Sequence, residues 1–330
     1  MTAAAFETTG RAEFGSATEP YRRELLAHCY RMIGSIHDAE DLVQETYVRA
    51  WRAYDRFEGR SSVRLWLYAI ATRVCLTALE SRARRPLPSG LGPPEHDPGA
   101  GVAVTGPSEA WLQPAPDALL GTGSEDPAGV VVAREGVRLA FVAALQHLPA
   151  RQRAVLILRD VLAWHAAEVA ELLGTSTIAV NSALQRARAH LGTVMPAPDE
   201  LAEPDDPATR AVVDRYVAAF ERADAAGLAD LLRADVELEM PPNPVWFAGR
   251  DTVVSFFEAR VLGCAGRWRL VPIRANGQPA LAAYGQSQDG CMRAHGIQVL
   301  DVVDGKVARI VAFNDASLVP MFGLPTVLSR

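Results

Sequence analysis

The chain has 330 residues, of which 49% are hydrophobic, and its formal net charge is -6. A chain of this length buries two or three separate cores, so a single domain is not expected. No run of eighteen apolar residues occurs, and the first residues lack a basic start followed by an apolar stretch, which argues against a membrane span and a secretory signal. We therefore expect a cytoplasmic protein. The four cysteines lack metal-ligand spacing and lie in apolar contexts, so we expect buried free thiols, no metal and no cofactor.

Charge is distributed unevenly along the chain. Basic and acidic residues number 13 and 11 in residues 1–85, none and 6 in 86–133, 7 and 4 in 134–195, and 13 and 18 in 196–330. Two slightly basic blocks therefore alternate with two acidic ones. The first block carries its positive charge mainly near its end, which suits contact with a phosphate backbone, and a solvated basic tail fits the same pattern.

Residues 21–54 predict two helices, YRRELLAHCYRMI and DAEDLVQETYVRAWRAY, separated by a Gly-Ser break. Asp38 is expected to cap the second helix. The apolar stripe of that helix, formed by Leu42, Tyr47, Ala50, Trp51 and Tyr54, leaves Asp41, Gln44, Glu45 and Arg49 toward solvent. A helix this polar on one side is suited to docking a partner.

A third helix is predicted from about Val63 to Leu79, after the helix-breaking string FEGRSS. Its aromatic residues Trp66 and Tyr68 are interleaved with Arg64 and Arg73. Arginine and aromatic side chains together form the usual platform for unpaired bases. The alternative is that both rings belong to the core, and we favour that alternative for Trp66.

Residues 86–133 are rich in proline and glycine and contain no Lys or Arg. This composition predicts a spacer that is disordered in isolation. The stretch WLQPAPDALL, around Trp111 and Leu119, is too apolar for a pure spacer, so we expect it to pack on one of the folded blocks.

The segment from Gln152 to Leu191 has the spacing of a helix-turn-helix. Two helices that meet near a right angle need a small residue, a turn glycine and a branched apolar residue, and Ala170, Gly174 and Val180 occupy those positions. The Thr-Ser pair after the glycine can cap the next helix. DNA is therefore the first partner to consider.

The second helix of this motif has a polar face opposite its apolar stripe, which is predicted at Val180, Leu184, Ala187 and Leu191. At helical period the face carries Ile178, Ser182 and Gln185, flanked by Asn181 and Arg186. Gln and Asn pair with adenine, Arg with guanine or phosphate, and Ile contacts a thymine methyl, so this face suits a major groove. The alternative is an ordinary surface helix of a bundle.

Three strings follow one another in a family-specific order: DAEDLVQETYVRAW, FEGRSSVRLWLYAIATRVCL and LPARQRAVLILRDVLAWHAAEVAELLGTSTIAVNSALQRARAHL. They resemble a bacterial RNA polymerase sigma factor of the extracytoplasmic-function type (ECF, group 4), which keeps only regions two and four of the sigma-70 family. The resemblance covers residues 21–85 and 136–192. It implies a non-catalytic initiation subunit that binds RNA polymerase core and promoter DNA.

The resemblance also implies roles for particular residues. Docking on the clamp helices of the largest polymerase subunit is implied for Asp41, Gln44 and Glu45, and contact with the flap of the second-largest subunit is implied as well. Capture of the melting minus-ten element is implied for Arg60, Ser61, Ser62, Arg64, Tyr68 and Arg73. Recognition of the minus-thirty-five element is implied for Ser176, Thr177, Ile178, Asn181, Ser182, Gln185, Arg186 and Arg188. The acidic spacer would run through polymerase channels, its carboxylates mimicking phosphates.

After an acidic hinge, the last third predicts helices and then strands. The helices are TRAVVDRYVAAFERAD and GRDTVVSFFEARVL, the latter capped near Asp251, and the strands are ELEM, RWRLVPIRA, PALAAYGQS and GIQVLDVVDGKVARIVAFN. Asp304-Gly305 predicts a hairpin turn. Helices followed by a curled antiparallel sheet form an α+β cone.

This order resembles the SnoaL-like branch of the NTF2-like superfamily over residues 208–325. The resemblance rests on a Trp-Phe pair before GRDTVVSFF and on the closing strand KVARIVAFND. It implies a pocket for a small-molecule ligand, lined by Trp246, Phe247, His295, Asn314 and Asp315.

Relatives of this fold include enzymes, and His295 with Asp315 is the candidate general-base pair. No set of acid, base and electrophile is visible, so no catalytic residue is assigned and a regulatory domain is expected. Two alternatives remain: a ligand-sensing DNA-binding regulator, and a SnoaL-like cyclase or isomerase fused to a DNA-binding module.

The predicted fold class is multidomain, with two all-α helical domains and a C-terminal α+β cone. The predicted boundaries are region two in residues 1–85, the acidic linker in 86–133, the region-four helix-turn-helix in 134–195, a hinge in 196–207 and the SnoaL-like domain in 208–330.

Overall fold

The computed structural model describes residues 13–59, 61–81, 84–99, 111–120, 136–194 and 204–328. The polypeptide divides into two units. Unit one comprises residues 1–84 and 119–195, and unit two comprises residues 85–118 and 196–330. The segment predicted as a linker is therefore divided, since residues 85–118 belong with the C-terminal third.

The regular structure described in unit one is helical. Its helices are α1 (Arg22–Ile33), α2 (Ile36–Ala53), α3 (Val63–Glu80), α4 (Leu139–Leu145), α5 (Ala150–Leu156), α6 (Ala166–Leu173) and α7 (Thr177–Val194). Helix α5 continues into a π-helical turn, Ile157–Val161. No helix in the described ranges is long and apolar enough to cross a membrane.

A glycine and a serine separate α1 from α2. Gly34 ends α1 in the left-handed conformation, with φ of 76°. Ser35 then caps α2, because its side-chain oxygen accepts a hydrogen bond from the Asp38 N–H at 3.2 Å. The prediction that Asp38 caps this helix is wrong: Ser35 has the extended backbone of a cap, and Asp38 lies within the first turn.

The helix-turn-helix predicted from the sequence is confirmed in unit one. Gly174 ends α6 with φ of 61°, and Ser176 caps α7 by accepting a hydrogen bond from the Ala179 N–H at 3.2 Å. The apolar stripe of α7 is buried as predicted, at Val180, Leu184, Ala187 and Leu191. The opposite face of α7 is consequently left toward solvent.

Buried polar side chains join the two helical blocks of unit one. The Arg31 Nε donates to the Gly136 carbonyl at 2.9 Å. Arg153 donates to the Met32 carbonyl and, at 2.8 Å, to the Gln146 side-chain oxygen. Burial lowers the pKa of both guanidinium groups to about 10. The contacts of Arg31 with Gly136 and of Arg153 with Met32 connect residues more than a hundred positions apart.

Unit two contains three helices and seven strands in its described part. The helices are α8 (Pro207–Glu221), α9 (Ala225–Leu231) and α10 (Arg250–Phe256), which continues into the π-helical turn Phe257–Leu262. The strands are β1 (Leu232–Glu239), β2 (Trp246–Ala248), β3 (Trp268–Ala275), β4 (Gln278–Gln286), β5 (Met292–Val303), β6 (Lys306–Phe313) and β7 (Val327–Leu328).

The strands form one sheet in the order β2-β1-β6-β5-β4-β3, with β7 paired to β5. Pairing is antiparallel except between β1 and β6, which are parallel. The predicted hairpin turn is confirmed, since Asp304 and Gly305 both have positive φ. Apolar side chains from helices and sheet share one core around Tyr216, Phe220 and Phe247. The predicted α+β architecture is confirmed.

Residues of the predicted linker extend the sheet of unit two at two places. Glu95 forms a parallel bridge with Phe247, and Pro116 forms an antiparallel bridge with Ala275. The indole N–H of Trp246 donates to the Gly92 carbonyl at 2.9 Å. Main-chain pairing of this kind fixes an extended segment in register.

Polar side chains add to this attachment. Asp117 accepts a hydrogen bond from the Gly277 N–H at 2.7 Å and forms an ion pair with Arg274 at 3.1 Å. The Ala115 N–H donates to the Asn276 side chain at 2.9 Å, and the Asn276 N–H donates back to the Ala115 carbonyl at 3.0 Å. Residues 111–118 are thus held at the turn between β3 and β4.

A buried carboxylate provides a third attachment. Glu239 is 0% exposed and forms an ion pair with Arg309. The backbone N–H of Ser89 donates to its second oxygen at 2.8 Å. An unsatisfied buried charge is costly. The hydrogen bond from the linker backbone therefore helps to stabilise the Glu239–Arg309 ion pair, which lies inside unit two.

The left-handed conformation at Gly174 generates a stability prediction. We expect Gly174→Ala to lower the free energy of unfolding by about 1 kcal/mol, because a Cβ disfavours positive φ. No heavy atom lies within 4 Å of the Cβ position, so the loss reflects backbone strain alone. Urea unfolding followed by circular dichroism measures it. The matched control is Gly192→Ala within α7, where the added Cβ meets open space on an ordinary helical backbone, so alanine should stabilise the helix. Equal effects of the two changes would contradict the prediction.

Candidate functional site

The exposed face of α7 carries most of the residues predicted to bind the minus-thirty-five element. Ile178 is 78% exposed, which is unusual for a large aliphatic side chain. Asn181, Gln185 and Arg186 are exposed around it, and Ser182 is half-buried. The face combines amide, guanidinium and methyl groups, which are the groups that contact base edges in a major groove.

Three further residues of this predicted set have other positions. Ser176 uses its hydroxyl to cap α7, and Thr177 begins the helix with an exposed side chain. Arg188 forms two hydrogen bonds with Asp160, at 2.9 and 2.7 Å. Its guanidinium is therefore paired with a carboxylate of the same unit. The sequence pattern did not predict this ion pair.

The residues predicted to capture the minus-ten element begin at the start of α3. Arg60 lies outside the described residues. Ser61 and Ser62 are exposed, and Ser62 caps α3 by accepting a hydrogen bond from the Leu65 N–H at 3.2 Å. The loop thus positions the first turn of α3 at the surface.

Tyr68 lies in the core of unit one, with only 1% of its surface exposed. Its hydroxyl donates to Glu24 at 3.2 Å, and its ring packs edge-to-face against Trp164 with centroids 5.6 Å apart. Burial raises the pKa of Tyr68. Trp66 is half-buried, with its ring against Phe57 at 4.8 Å between centroids. The structure thus reverses the expectation that Trp66 is the core residue of the pair.

Two arginines beside Tyr68 are also engaged. Arg64 forms an ion pair with Glu24 at 2.7 Å and lies over the Tyr68 ring. Arg73 donates to the Leu172 carbonyl in α6, at 3.4 Å. Since Trp164 and Leu172 belong to the helix-turn-helix block, that block contacts two residues of the predicted minus-ten set.

The predicted docking residues lie on one side of α2. Asp41 and Gln44 are exposed, and Glu45 is half-buried with an ion pair to Arg49 at 2.7 Å. The same side exposes two apolar residues, Val48 at 43% and Trp51 at 38%. Sequence reasoning assigned Trp51 to the core stripe and passed over Val48. No signal in the helical pattern separates an apolar docking residue from an apolar core residue.

Unit two contains a cavity of about 690 Å³ between its helices and its sheet. His295 and Asn314 line it, together with apolar residues that include Phe220, Phe256, Phe257 and Trp268. Its volume is within the range of small-molecule sites.

Three residues predicted to line the pocket lie elsewhere. Trp246 points its indole N–H at the Gly92 carbonyl. Phe247 is fully buried against Phe256, with ring centroids 4.6 Å apart. Asp315 caps the following turn, accepting a hydrogen bond from the Ser317 N–H at 2.9 Å. The alternation of side chains along β2 sets the directions of Trp246 and Phe247, and the turn after β6 sets the direction of Asp315. The sequence pattern left these side-chain directions open.

The candidate general-base pair is not formed. Asp315 is engaged by Ser317, and His295 has no ion pair with a carboxylate in the described ranges. His295 instead packs edge-to-face on Trp268, with centroids 5.0 Å apart. Desolvation lowers the pKa of His295, and nearby Arg267 lowers it further, while a hydrogen bond with Asn314 opposes the shift.

No group of three or more His, Cys, Asp or Glu side chains in the part of the chain that the structure describes is arranged to hold a metal ion. Cys29 and Cys75 are buried, Cys264 is exposed and Cys291 is half-buried, all as free thiols. Burial of all four was expected, and Cys264 does not meet that expectation because it lies in the exposed loop before β3.

Comparison with known families agrees with this arrangement of helices and sheet. Residues 18–85 match the family Sigma-70 region 2, residues 138–191 match Sigma-70, region 4, and residues 213–310 match the SnoaL-like domain. The chain is 53% identical over 320 residues to the ECF RNA polymerase sigma factor SigG of Mycobacterium tuberculosis, covering 96% of this chain and 85% of SigG. The chain belongs to the ECF RNA polymerase sigma factor family.

Two further comparisons extend to the C-terminal domain. The ECF sigma factor SigJ of Mycobacterium tuberculosis is 33% identical over 259 residues, which cover 77% of this chain and 73% of SigJ. The crystal structure of SigJ superimposes with a TM-score of 0.59 at 28% identity, covering 94% of this chain and 99% of that structure. The resemblance predicted from the sequence motifs is confirmed in both its sigma-factor and its SnoaL-like parts.

As an ECF sigma factor, the protein binds RNA polymerase core and promoter DNA and directs the core to promoters for transcription initiation. Sigma factors are non-catalytic initiation subunits, and this one carries a fused SnoaL-like domain.

The buried His28, which packs against Tyr68, generates a pH prediction. Desolvation, with a contribution from Arg31, lowers the pKa of His28 to about 3. Since the unfolded pKa is about 6.5, the unfolded state binds the proton more readily, and stability is lost as the pH falls from about 6.5 toward 3. Unfolding by urea at pH 7.5 and 5.0 should show a fall of about 2 kcal/mol from this residue.

The variant His28→Gln is expected to reduce that fall, because its amide can still bond Thr72, the partner of His28 at 2.9 Å, and does not titrate. The matched control is His96→Gln in an exposed loop. If His28→Gln and the wild-type protein lose the same stability between the two pH values, the explanation is wrong.

Proposed function

We propose that α7 binds the minus-thirty-five element through its exposed face, with Ile178, Asn181 and Gln185 against base edges and Ser182 and Arg186 beside them. The observation that carries this proposal is the exposure of Ile178 among polar neighbours, at the position where a helix-turn-helix enters the major groove. Arg188 would contact phosphate only after leaving Asp160.

We further propose that α2 docks on the clamp helices of the largest polymerase subunit. Asp41, Gln44 and Glu45 supply the polar contacts, and the exposed Val48 supplies apolar area next to them. A polar rim around exposed apolar side chains is typical of an interface between proteins. The helix-turn-helix block would meet the flap of the second-largest subunit.

Capture of the minus-ten element requires the two helical blocks of unit one to separate. Tyr68 is covered by Trp164, so its ring cannot stack on a flipped base in the present arrangement, while the exposed Arg73 gives one N–H to the Leu172 carbonyl. Flipping a base costs a few kcal/mol, and binding to polymerase would offset both that cost and the loss of these contacts. The arrangement in which Tyr68 is covered is therefore the resting state, and the Tyr68 ring becomes accessible on opening.

The SnoaL-like domain regulates this opening by holding the linker. Residues 85–118 are attached to unit two through β-bridges, the Asp117–Arg274 pair and the buried Glu239. While attached, they cannot extend through the channels of the polymerase. A small-molecule ligand in the cavity would modulate the attachment, and the protein would act where its polymerase does, in the cytoplasm.

The promoter-binding proposal is tested by run-off transcription with purified polymerase core, on a promoter selected from a random library by the wild-type holoenzyme. We expect Gln185→Ala to lower promoter affinity about 5- to 150-fold, because losing one bidentate base contact costs about 1–3 kcal/mol. The matched control is Gln288→Ala, an exposed glutamine in unit two. Equal transcription by wild type and Gln185→Ala would exclude this face, and failure to form a holoenzyme would exclude the function.

The regulatory proposal is tested in the same assay. Asp117→Ala removes the contacts to Arg274 and to the Gly277 N–H, so the linker should detach more readily and transcription should rise. Residues 1–204, which lack the sheet that holds the linker, should show the same direction of change. The matched control is Arg233→Gln, which removes an exposed ion pair with Asp235 in β1. Unchanged transcription by both Asp117→Ala and residues 1–204 would contradict linker-based regulation.

A further inference from the structure

The cavity of unit two has an apolar interior. Phe220 reaches it from α8, Phe256 and Phe257 from the end of α10, and Ile310 and Ala312 from β6. These groups offer no hydrogen bond, so a ligand that fills this part must present carbon surface. A volume of about 690 Å³ accommodates a chain or ring system of moderate size.

Part of the remaining lining is positively charged. Arg260, Arg267 and Arg293 all line the cavity, and no Asp or Glu occurs among its described lining residues. Arg293 is neutralised by Asp289 at 2.7 Å. Arg267 forms no ion pair within the described ranges and lies over the Trp268 ring. An unpaired guanidinium beside an apolar cavity favours an anionic group.

Neutral polar groups of the wall add donors. The Gln298 side-chain oxygen accepts a hydrogen bond from the Tyr216 hydroxyl at 3.2 Å, and Gln298 lines the cavity. Asn314 and His295 are neighbours on the same wall. The wall therefore combines positive charge with hydrogen-bond donors and lacks a carboxylate that would repel an anion.

We propose that this cavity binds a small organic anion with an apolar body, its charged group held by Arg267 and Arg260 and its carbon portion among the phenylalanines. The inference deepens the ligand site of the proposed function by naming the chemical class of the ligand. Neutral molecules of the same shape bind more weakly, because they leave the guanidinium of Arg267 without a partner.

Arg260 also connects the ligand to the linker. One of its guanidinium N–H groups donates to the Gly99 carbonyl at 2.8 Å, and Gly99 lies in the linker segment attached to unit two. A guanidinium has five N–H donors, so an anion in the cavity and the linker share this one side chain. Occupancy of the cavity therefore alters how residues 92–99 are held.

Binding is tested on the full chain without polymerase, by displacement of the fluorescent probe 8-anilinonaphthalene-1-sulfonate. Decanoate and 2-naphthoate are the anionic competitors, and decan-1-ol and 2-naphthol are their neutral counterparts. We expect at least one anion to displace the probe with an affinity at least fivefold above that of its neutral counterpart. Displacement by neither anion, or equal displacement by each anion and its counterpart, would overturn the proposal.

Two exposed arginines provide the matched variants. Arg267→Gln removes the unpaired charge at the cavity, and we expect it to weaken binding of the effective anion at least fivefold. Arg269→Gln removes a neighbouring arginine of β3 that does not line the cavity and pairs with Glu221. Binding should be unchanged in that control. Equal weakening by both changes would show a general charge effect and refute the site.

The connection to the linker is tested by amide hydrogen exchange with and without the effective anion. Exchange in residues 92–99 should change at least twofold, while the hairpin turn at Asp304-Gly305 should not change. No change in residues 92–99 would refute the role of Arg260. Because no polymerase is present, these results are independent of whether α7 binds a promoter, and the transcription assays can fail or succeed separately.

Discussion

Buried polar and charged groups must be satisfied, and in this protein their partners are residues far away in the sequence. Glu239 is removed from water and is paired with Arg309 and with a backbone N–H of Ser89 in the linker. In unit one, Arg153 is buried and donates to the Met32 carbonyl. Breaking one side of such an arrangement leaves an uncompensated buried group, which is strongly destabilising. The linker and the helical blocks are therefore held in place by the need to satisfy buried polar groups, and not by buried apolar area alone.

The need to satisfy buried polar groups also provides a structural basis for the proposed regulation of the initiation subunit. In unit one, the helix-turn-helix block covers Tyr68 and accepts a hydrogen bond from the exposed Arg73, so the Tyr68 ring lies inside this unit. In unit two, residues of the linker form isolated β-bridges with the two edge strands of the sheet. In the function that we propose, the Tyr68 ring stays covered until polymerase binding compensates for the contacts that are lost. The exposed faces of α2 and α7 remain available for first contact.

The C-terminal domain keeps the cavity of its fold while lacking a catalytic arrangement in the described residues. Asp315 caps a turn, and His295 packs on Trp268 instead of meeting a carboxylate. What remains is an apolar interior with arginines at its lining, one of which also holds the linker. Such a cavity is suited to binding, and its effect on the rest of the chain would pass through Arg260.

The sequence by itself determined the helices, the helix-turn-helix, the α+β order and the family, because periodic apolar residues and turn glycines such as Gly174 act locally. It also determined the exposed face of α7, since a helix with one buried stripe leaves the other side to solvent. Only the tertiary structure decided that Tyr68 is buried, that Trp246 and Asp315 point away from the cavity, and that the linker joins the sheet of unit two. These outcomes depend on contacts between segments separated by tens to hundreds of residues, and no local pattern specifies which distant group satisfies a given side chain.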